Sequence, residues 1–273
     1  LTTDISADPV IWTNLNNGYQ TYQFYHVAID PTTNSDLVMG GAQDNGTTVS
    51  TTTSHSSVFG GDGVAVEISN LNPACGGPLY MGFQRGGLYR LCSGYADISP
   101  VDDNGDKFPS IFVTYFYLDP DNQTNFYYAA NGKLFRTTDA ENITSTTWTD
   151  LGNLPTEDYL RSMVATRGTY AAANSQLFIG CDEGSIFRLS DPANVNDLSA
   201  LVNITPPAVV IEYPNVVSSL AIHPTDNNIL LATYSSYGVE SVYLTTNALA
   251  AAPNWTQVQR NLTSASVRSS EIV

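Results

Sequence analysis

The residues of this chain best suited to chemistry are two carboxylates held in glycine-rich turns. Asp44 lies in Gly40-Gly41-Ala42-Gln43-Asp44-Asn45-Gly46 and Asp62 in Gly60-Gly61-Asp62-Gly63. Two carboxyl groups flanking a glycosidic bond hydrolyse it, one protonated as the acid and the other acting as base or nucleophile. Asp44 and Asp62 are the residues that would take those roles in a hydrolase. The same turns have a structural reading, because Asp, Asn and Gly tolerate the left-handed backbone of a tight hairpin. A sialidase instead needs arginines converging on a substrate carboxylate. Arg90, Arg136 and Arg188 have the right chemistry, but they occupy one equivalent place in successive repeats, so a repeated structural contact is expected of them.

Val101-Asp102-Asp103-Asn104-Gly105-Asp106-Lys107 sets oxygen ligands at Asp102, Asn104 and Asp106, the alternate spacing with which a loop wraps Ca²⁺, though without the distal glutamate of an EF-hand. Asp119, Asp121, Gln123 and Asn125 share that spacing. For both loops a solvated turn is the competing reading, and no cofactor is required by the sequence. His26, His55 and His223 are isolated and lack zinc-ligand spacing. Neither a Gly-x-Ser-x-Gly nucleophile turn nor a phosphate-binding glycine loop occurs.

The elements that must position these residues repeat. An apolar strand, a polar turn ending in glycine and a second strand recur at Leu79–Arg90, Phe126–Arg136 and Leu177–Arg188, and with a longer turn at Ile229–Thr245. Between Gly46, Gly86, Gly132, Gly184 and Gly238 the spacings are 40, 46, 52 and 54 residues, the range of four-stranded propeller blades. Before the hairpins run strands closed by proline, as in Val27-Ala28-Ile29-Asp30-Pro31, Phe116–Pro120 and Leu220–Pro224, and these are the expected innermost strands. Trp12, Trp148 and Trp255 open the expected outermost strands and are placed to pack between blades. The spacing thus predicts an all-β chain, a β-propeller of four-stranded blades with five hairpins visible, and one domain or part of one over residues 1–273. Helical periodicity is confined to a brief stretch at Asn194–Val202.

A net charge of −16, from 10 Lys and Arg against 26 Asp and Glu, excludes phosphate backbones and anionic membranes as natural partners. No run approaches the roughly 20 apolar residues that span a bilayer. Leu1 is not an initiating methionine, and Val267–Val273 repeats the start of an innermost strand, so a fragment of a longer secreted protein is expected. Cys75 and Cys92 flank the open end of the second hairpin, where antiparallel pairing brings them near a disulfide, whereas Cys181 reads as a small buried thiol. Sequons stand at Asn45, Asn122, Asn142, Asn203, Asn254 and Asn261, which makes them candidate glycosylation sites.

Thr137-Thr138-Asp139 followed by Thr147-Trp148 resembles a stretched Asp-box, the turn of BNR and sortilin-type propellers. Leu15–Tyr25, then Gly40–Thr47, then Gly60–Gly63, with Tyr237–Tyr243 and Asn261-Leu262 later, resemble large secreted propeller proteins common in Bacteroidota, many of them type IX secretion cargo. The resemblance implies a seven- or eight-bladed ring, an extracellular or cell-surface location, and carbohydrate, protein or self-assembly partners. Three functions are compatible with it: a non-catalytic module for binding, adhesion or assembly, a glycoside hydrolase of xyloglucanase or sialidase type, and a subunit of a surface filament or coat.

Overall fold

A computed structural model describes residues 2–15, 21–72, 75–155, 158–211, 214–262 and 265–273. Five four-stranded antiparallel sheets succeed one another along the chain as the blades of a β-propeller. Blade 1 contains β1 (Phe24–Ile29), β2 (Val38–Ala42), β3 (Gly46–Ser50) and β4 (His55–Phe59), and blade 2 contains β5 (Gly63–Ile68), β6 (Leu79–Phe83), β7 (Gly87–Leu91) and β8 (Tyr95–Asp97). Blade 3 is built of β9 (Tyr115–Leu118), β10 (Phe126–Ala130), β11 (Lys133–Thr137) and β12 (Thr149–Asn153). Blade 4 is built of β13 (Leu160–Ala165), β14 (Gln176–Cys181), β15 (Ile186–Ser190) and β16 (Leu201–Asn203). Blade 5 is built of β17 (Val217–Ile222), β18 (Leu230–Tyr234), β19 (Val242–Thr245) and β20 (Trp255–Gln257). Each sheet keeps sequence order, and the first strands stand side by side, β1 next to β5, β5 next to β9, and so on to β17.

Both faces of these strands are apolar, so the core lies between blades. Ala28 and Met39 of blade 1 meet Val66, Ile68 and Met81 of blade 2, and Tyr80 and Leu88 meet Phe116, Phe126 and Phe135 across the next seam. The seam between blades 3 and 4 joins Leu134 and Leu151 to Leu160, Leu177 and Phe187, and the last joins Phe178 and Ile186 to Leu220, Leu230 and Tyr243. In the second-to-third-strand turn of blade 1, Asp44 and Gly46 have φ of 60° and 70°, and a Cβ at Gly46 would lie 2.0 Å from the Phe59 carbonyl. Glycine is required there.

Two polar contacts repeat from seam to seam. The Arg90 guanidinium donates to the Glu141 carbonyl, that of Arg136 to the Ala193 carbonyl, and that of Arg188 to the carbonyls of Ala248 and Ala250 at 2.6 and 2.8 Å. In each case an arginine on the third strand satisfies the third-to-fourth-strand loop of the following blade. The Trp148 and Trp255 indoles donate backward at 2.7 Å, to the carbonyls of Ile98 and Ile204, which come just after the last strand of the preceding blade. Trp12 differs: it is 68% exposed, and residues 2–15 form no strand. The stretch 194–202 is not helical either; it turns into β16, because Leu201 and Val202 pair with β15. Residues 265–273 run along blade 5, where the Val267 amide donates to Tyr234 O at 3.1 Å and the Ser218 hydroxyl to Val267 O at 2.6 Å.

A disulfide joins Cys75 to Cys92, their Cα atoms 5.2 Å apart, and Cys181 is buried as a free thiol. Replacing Arg188, which is 7% exposed, by alanine strands the carbonyls of buried Ala248 and half-buried Ala250. We expect a loss of about 2–4 kcal/mol in urea unfolding, with Arg188→Lys recovering less than half because the lysine side chain ends one bond short of Nη1, the nitrogen that donates to both carbonyls.

Candidate functional site

In an antiparallel four-stranded blade, the turn between strands two and three and the connection to the next blade emerge on the same face. Every first strand begins on that face, and most begin irregularly. Pairing skips from Phe24 to His26 in β1, from Gly63 to Val66 in β5, from Leu160 to Ser162 in β13 and from Val217 to Ser219 in β17. The residues left outside the ladder include Tyr25, Arg161 and Ser218. A bulge of this kind breaks the two-residue alternation and re-aims a side chain at the start of the strand.

Around Arg161 the rim is densely polar. Its Nη2 donates to Asp182 Oδ2 at 2.9 Å, and its guanidinium carbon stands 6.0 Å from the centroid of the Tyr115 ring. Asp182 Oδ1 accepts the Tyr159 amide at 2.9 Å, while Asp158 Oδ1 accepts the amides of Glu183 at 2.8 Å and Tyr159 at 3.1 Å. Asp158 and Asp182 are 1% and 4% exposed, and Asp158 Oδ2 faces no conventional donor. The two carboxyl groups lie against each other, both accepting from the Tyr159 amide. Burial, then the bond to Asp182, pushes the Asp158 carboxyl well above the usual range. Burial pushes Asp182 up as well, but bonds from Asp158, the Tyr159 amide and Arg161 outweigh it and hold Asp182 below that range. Burial opposes the Arg161 charge, which Tyr115 and Asp182 restore and strengthen. Across the rim, burial and then the charges of Asp62, Asp44 and Tyr115 raise the Tyr25 phenol. Near the far end of β5, Glu67 stands beside Tyr117 and Leu118 of β9, and burial, partly offset by the Leu118 amide, pushes its carboxyl up to about 8.

Asp44 and Asp62 do come together on this face. Asp62 Oδ1 accepts the Asp44 amide at 2.8 Å, so at least one oxygen of the pair braces a turn. The Tyr25 hydroxyl donates to Gln43 Oε1 at 3.1 Å, and its ring lies 6.4 Å from that of Phe112. In the 102–106 loop, Asp102 Oδ1 accepts the amides of Asn104 and Asp106 at 2.9 and 3.0 Å. Among the described residues no group of three or more His, Cys, Asp or Glu is arranged to hold a metal. Asp121 is bound by Arg167 through two 2.8 Å contacts, and Asp119 caps its own turn. Of the sequon residues, Asn45, Asn142, Asn203, Asn254 and Asn261 are exposed, while Asn122 is half-buried, receiving the Tyr170 amide and donating to Gly168 O. Thr263 of the last sequon and Asn16–Gln20 of the N-terminal motif lie outside the described residues.

The Asp158, Arg161 and Asp182 cluster was not singled out from sequence. Its one legible trace is that Asp182 sits in the same second-to-third-strand turn as Asp44, three blades on. Beside this turn lies a cavity of about 610 Å³, lined by Val209, Asn215, Tyr237, Val239, Glu240 and Tyr243 among others. Asn215 Nδ2 donates to Val210 O at 2.9 Å, and its buried Oδ1 has no protein donor.

No family model and no curated protein matches the sequence. Solved structures do resemble it. An ancestral GH74 enzyme aligns with a TM-score of 0.62 at 16% identity, over 89% of this chain and 32% of its own. The GH74 enzyme of Niastella koreensis aligns at 0.55 and 15%, over 86% and 38%. Saccharomyces cerevisiae Sqt1 aligns at 0.53 and 11%, over 93% and 79%. The likeness is one of fold. The chain spans about a third of the length of the GH74 structures it matches.

The acid pair generates a pH dependence of known sign. The folded pair keeps a proton that the unfolded chain has already released, so raising pH from the ordinary carboxyl range through the raised value of Asp158 removes stability. In Asp158→Asn the contribution of the pair disappears, while that of Glu67 stays in both proteins. Between about pH 5 and about pH 8, the unfolding free energy of the parent in urea should fall relative to the variant by on the order of 1 kcal/mol once solvent screening is allowed for.

Proposed function

We propose that this protein is a non-catalytic binding module that holds a neutral, hydroxyl-rich ligand, a carbohydrate, on the face bearing the bulged strand starts. The observation that carries this reading is the composition of that face. Tyr25, Phe112, Tyr159 and Tyr237 are all exposed there, beside the carboxylates of Asp44, Asp62, Asp182 and Glu240. Sugar C–H faces pack on aromatic rings, and sugar hydroxyls donate to carboxylates and amide oxygens. A surrounding charge of −16 repels anionic ligands and leaves neutral polyols favoured. An extracellular or cell-surface location fits the Cys75–Cys92 disulfide, which persists in oxidising compartments. Among the described residues no helix is long and apolar enough to cross a membrane.

Glycoside hydrolysis is the second reading, favoured by the fold likeness to GH74 enzymes and by the presence of two carboxyl pairs on one face. Hydrolysis needs carboxyl groups roughly 5–10 Å apart on either side of the bond. Asp158 and Asp182, in direct contact, do not meet that need.

Calorimetric titration with cello-oligosaccharides, xyloglucan oligosaccharides and sialyllactose, with reducing ends assayed on the same samples, tests both readings. We expect a β-glucan to bind without being cut, and Tyr25→Ala or Tyr237→Ala to weaken binding about threefold to tenfold. Failure of every probe to bind would remove the carbohydrate reading. Release of reducing ends that stops in Asp44→Asn or Asp62→Asn would replace it with hydrolysis.

A further inference from the structure

The connection from β16 to β17 and the turn from β18 to β19 emerge on the same face, and backbone contacts tie them together there. The Ser235 amide donates to Val216 O at 3.0 Å, the Val216 amide to Ser236 Oγ at 3.3 Å, and the Ser236 hydroxyl to Pro214 O. Between the two segments lies the cavity of about 610 Å³, a size that takes a small ligand. The β14–β15 turn backs it: a Cβ at Gly184 would stand 3.1 Å from Val209 Cγ1 and 3.2 Å from Asn215 O. The cavity is therefore held open by fixed elements on each side.

Its lining combines apolar walls with a few placed polar atoms. Val209, Val239 and Tyr243 belong to or pack on the core between blades 4 and 5, and Tyr237 lines the cavity while remaining 78% exposed. Asn215, 7% exposed, supplies a fixed acceptor. Its Nδ2 is committed to Val210 O at 2.9 Å, which orients the amide, and Oδ1 is left buried without a donor. A buried carbonyl in that state is costly, so a ligand that brings it a proton donor gains from relieving it. Glu240 Oε2 accepts from the Gln257 and Gln259 amides, which fix a carboxylate with further lone pairs beside the cavity. Tyr243 offers a hydroxyl kept protonated by burial and then by the charge of Glu240.

This lining distinguishes among donors. A hydroxyl would satisfy Asn215 Oδ1 but brings nothing for the valines. An ammonium brings three donors and a charge to a single neutral carbonyl. A secondary amide carrying a methyl group meets both demands, and on a sugar it is the 2-acetamido substituent, which is neutral. We propose that the cavity seats the acetamido group of an N-acetylhexosamine unit, its N–H donating to Asn215 Oδ1 and its methyl lying between Val209 and Val239. The Tyr243 hydroxyl then serves the acetyl carbonyl, Tyr237 the ring face and Glu240 a ring hydroxyl. The inference rests on the carbohydrate reading above and names the sugar that this face selects.

Calorimetric titration of the full chain with trisaccharides differing only at C2 tests it: cellotriose, triacetylchitotriose and deacetylated chitotriose. High ionic strength screens the overall charge of the protein. We expect the acetylated sugar to bind about tenfold tighter than cellotriose, and Asn215→Leu and Val239→Trp each to abolish that preference. Saturation-transfer NMR on the unaltered protein gives a readout that needs no variant, and there the acetyl methyl protons should take up the most saturation. Equal affinity for cellotriose, or methyl protons no more saturated than ring protons, would overturn the acetamido assignment and leave the carbohydrate reading standing. Tightest binding of the deacetylated sugar would overturn it in favour of a cation site. If none of the sugars binds, here or among the probes named above, both readings fall together.

Discussion

A blade of this protein has two apolar faces and no interior of its own, so its stability depends on a neighbour at each flank. The four buried clusters all straddle seams, each drawing residues from two consecutive blades. Such an arrangement makes stability a property of the contacts between blades. It also explains why the buried polar side chains are spent at seams. The arginines reach forward to the loop of the next blade and the tryptophans reach back to the carbonyl that ends the previous one, so the seams between blades 2 and 3 and between blades 4 and 5 are fastened in both directions, and the seam between blades 3 and 4 by its arginine.

The same constraint generates the polar rim. First strands must converge on the axis while their sheets twist outward, and a bulge near the strand start accommodates the change of direction. It also frees residues near the start of β1, β5, β13 and β17 from the packing alternation. In blade 4 that residue is Arg161, and the buried carboxyl pair beside it is tolerable because Arg161 and the Tyr159 and Glu183 amides stabilise its charge, while burial holds the Asp158 carboxyl toward its neutral form. An isolated ionised pair in that position would not survive desolvation.

The repeat was legible in the sequence because each hairpin restates the same alternation, turn and glycine, and the structure sets five blades where five hairpins recur. The arginines were legible for the same reason: equivalence of position argued against convergence on one ligand, and each one binds a different loop. The acid pair was not, because Asp158 and Asp182 are distant in sequence and meet only once β13 pairs with β14 at Leu160 and Cys181. Trp12 shows the opposite case, a residue whose sequence pattern is clear and whose seat is absent from blades 1 to 5.

Likeness to GH74 enzymes fixes the scaffold, and scaffolds of this kind carry unrelated chemistries. The decision between cutting and holding a glycan rests on how carboxyl groups are separated. An acid and a base or nucleophile must stand apart with the sugar between them. Here Asp158 and Asp182 both accept from the Tyr159 amide, which sets them side by side, and Asp62 Oδ1 is held by the Asp44 backbone amide. Groups held in this way still accept hydroxyls through their remaining lone pairs. Holding a glycan, as proposed, requires only those lone pairs beside exposed rings, whereas cutting one requires a separation of acid and base that Asp158 and Asp182, side by side, do not supply.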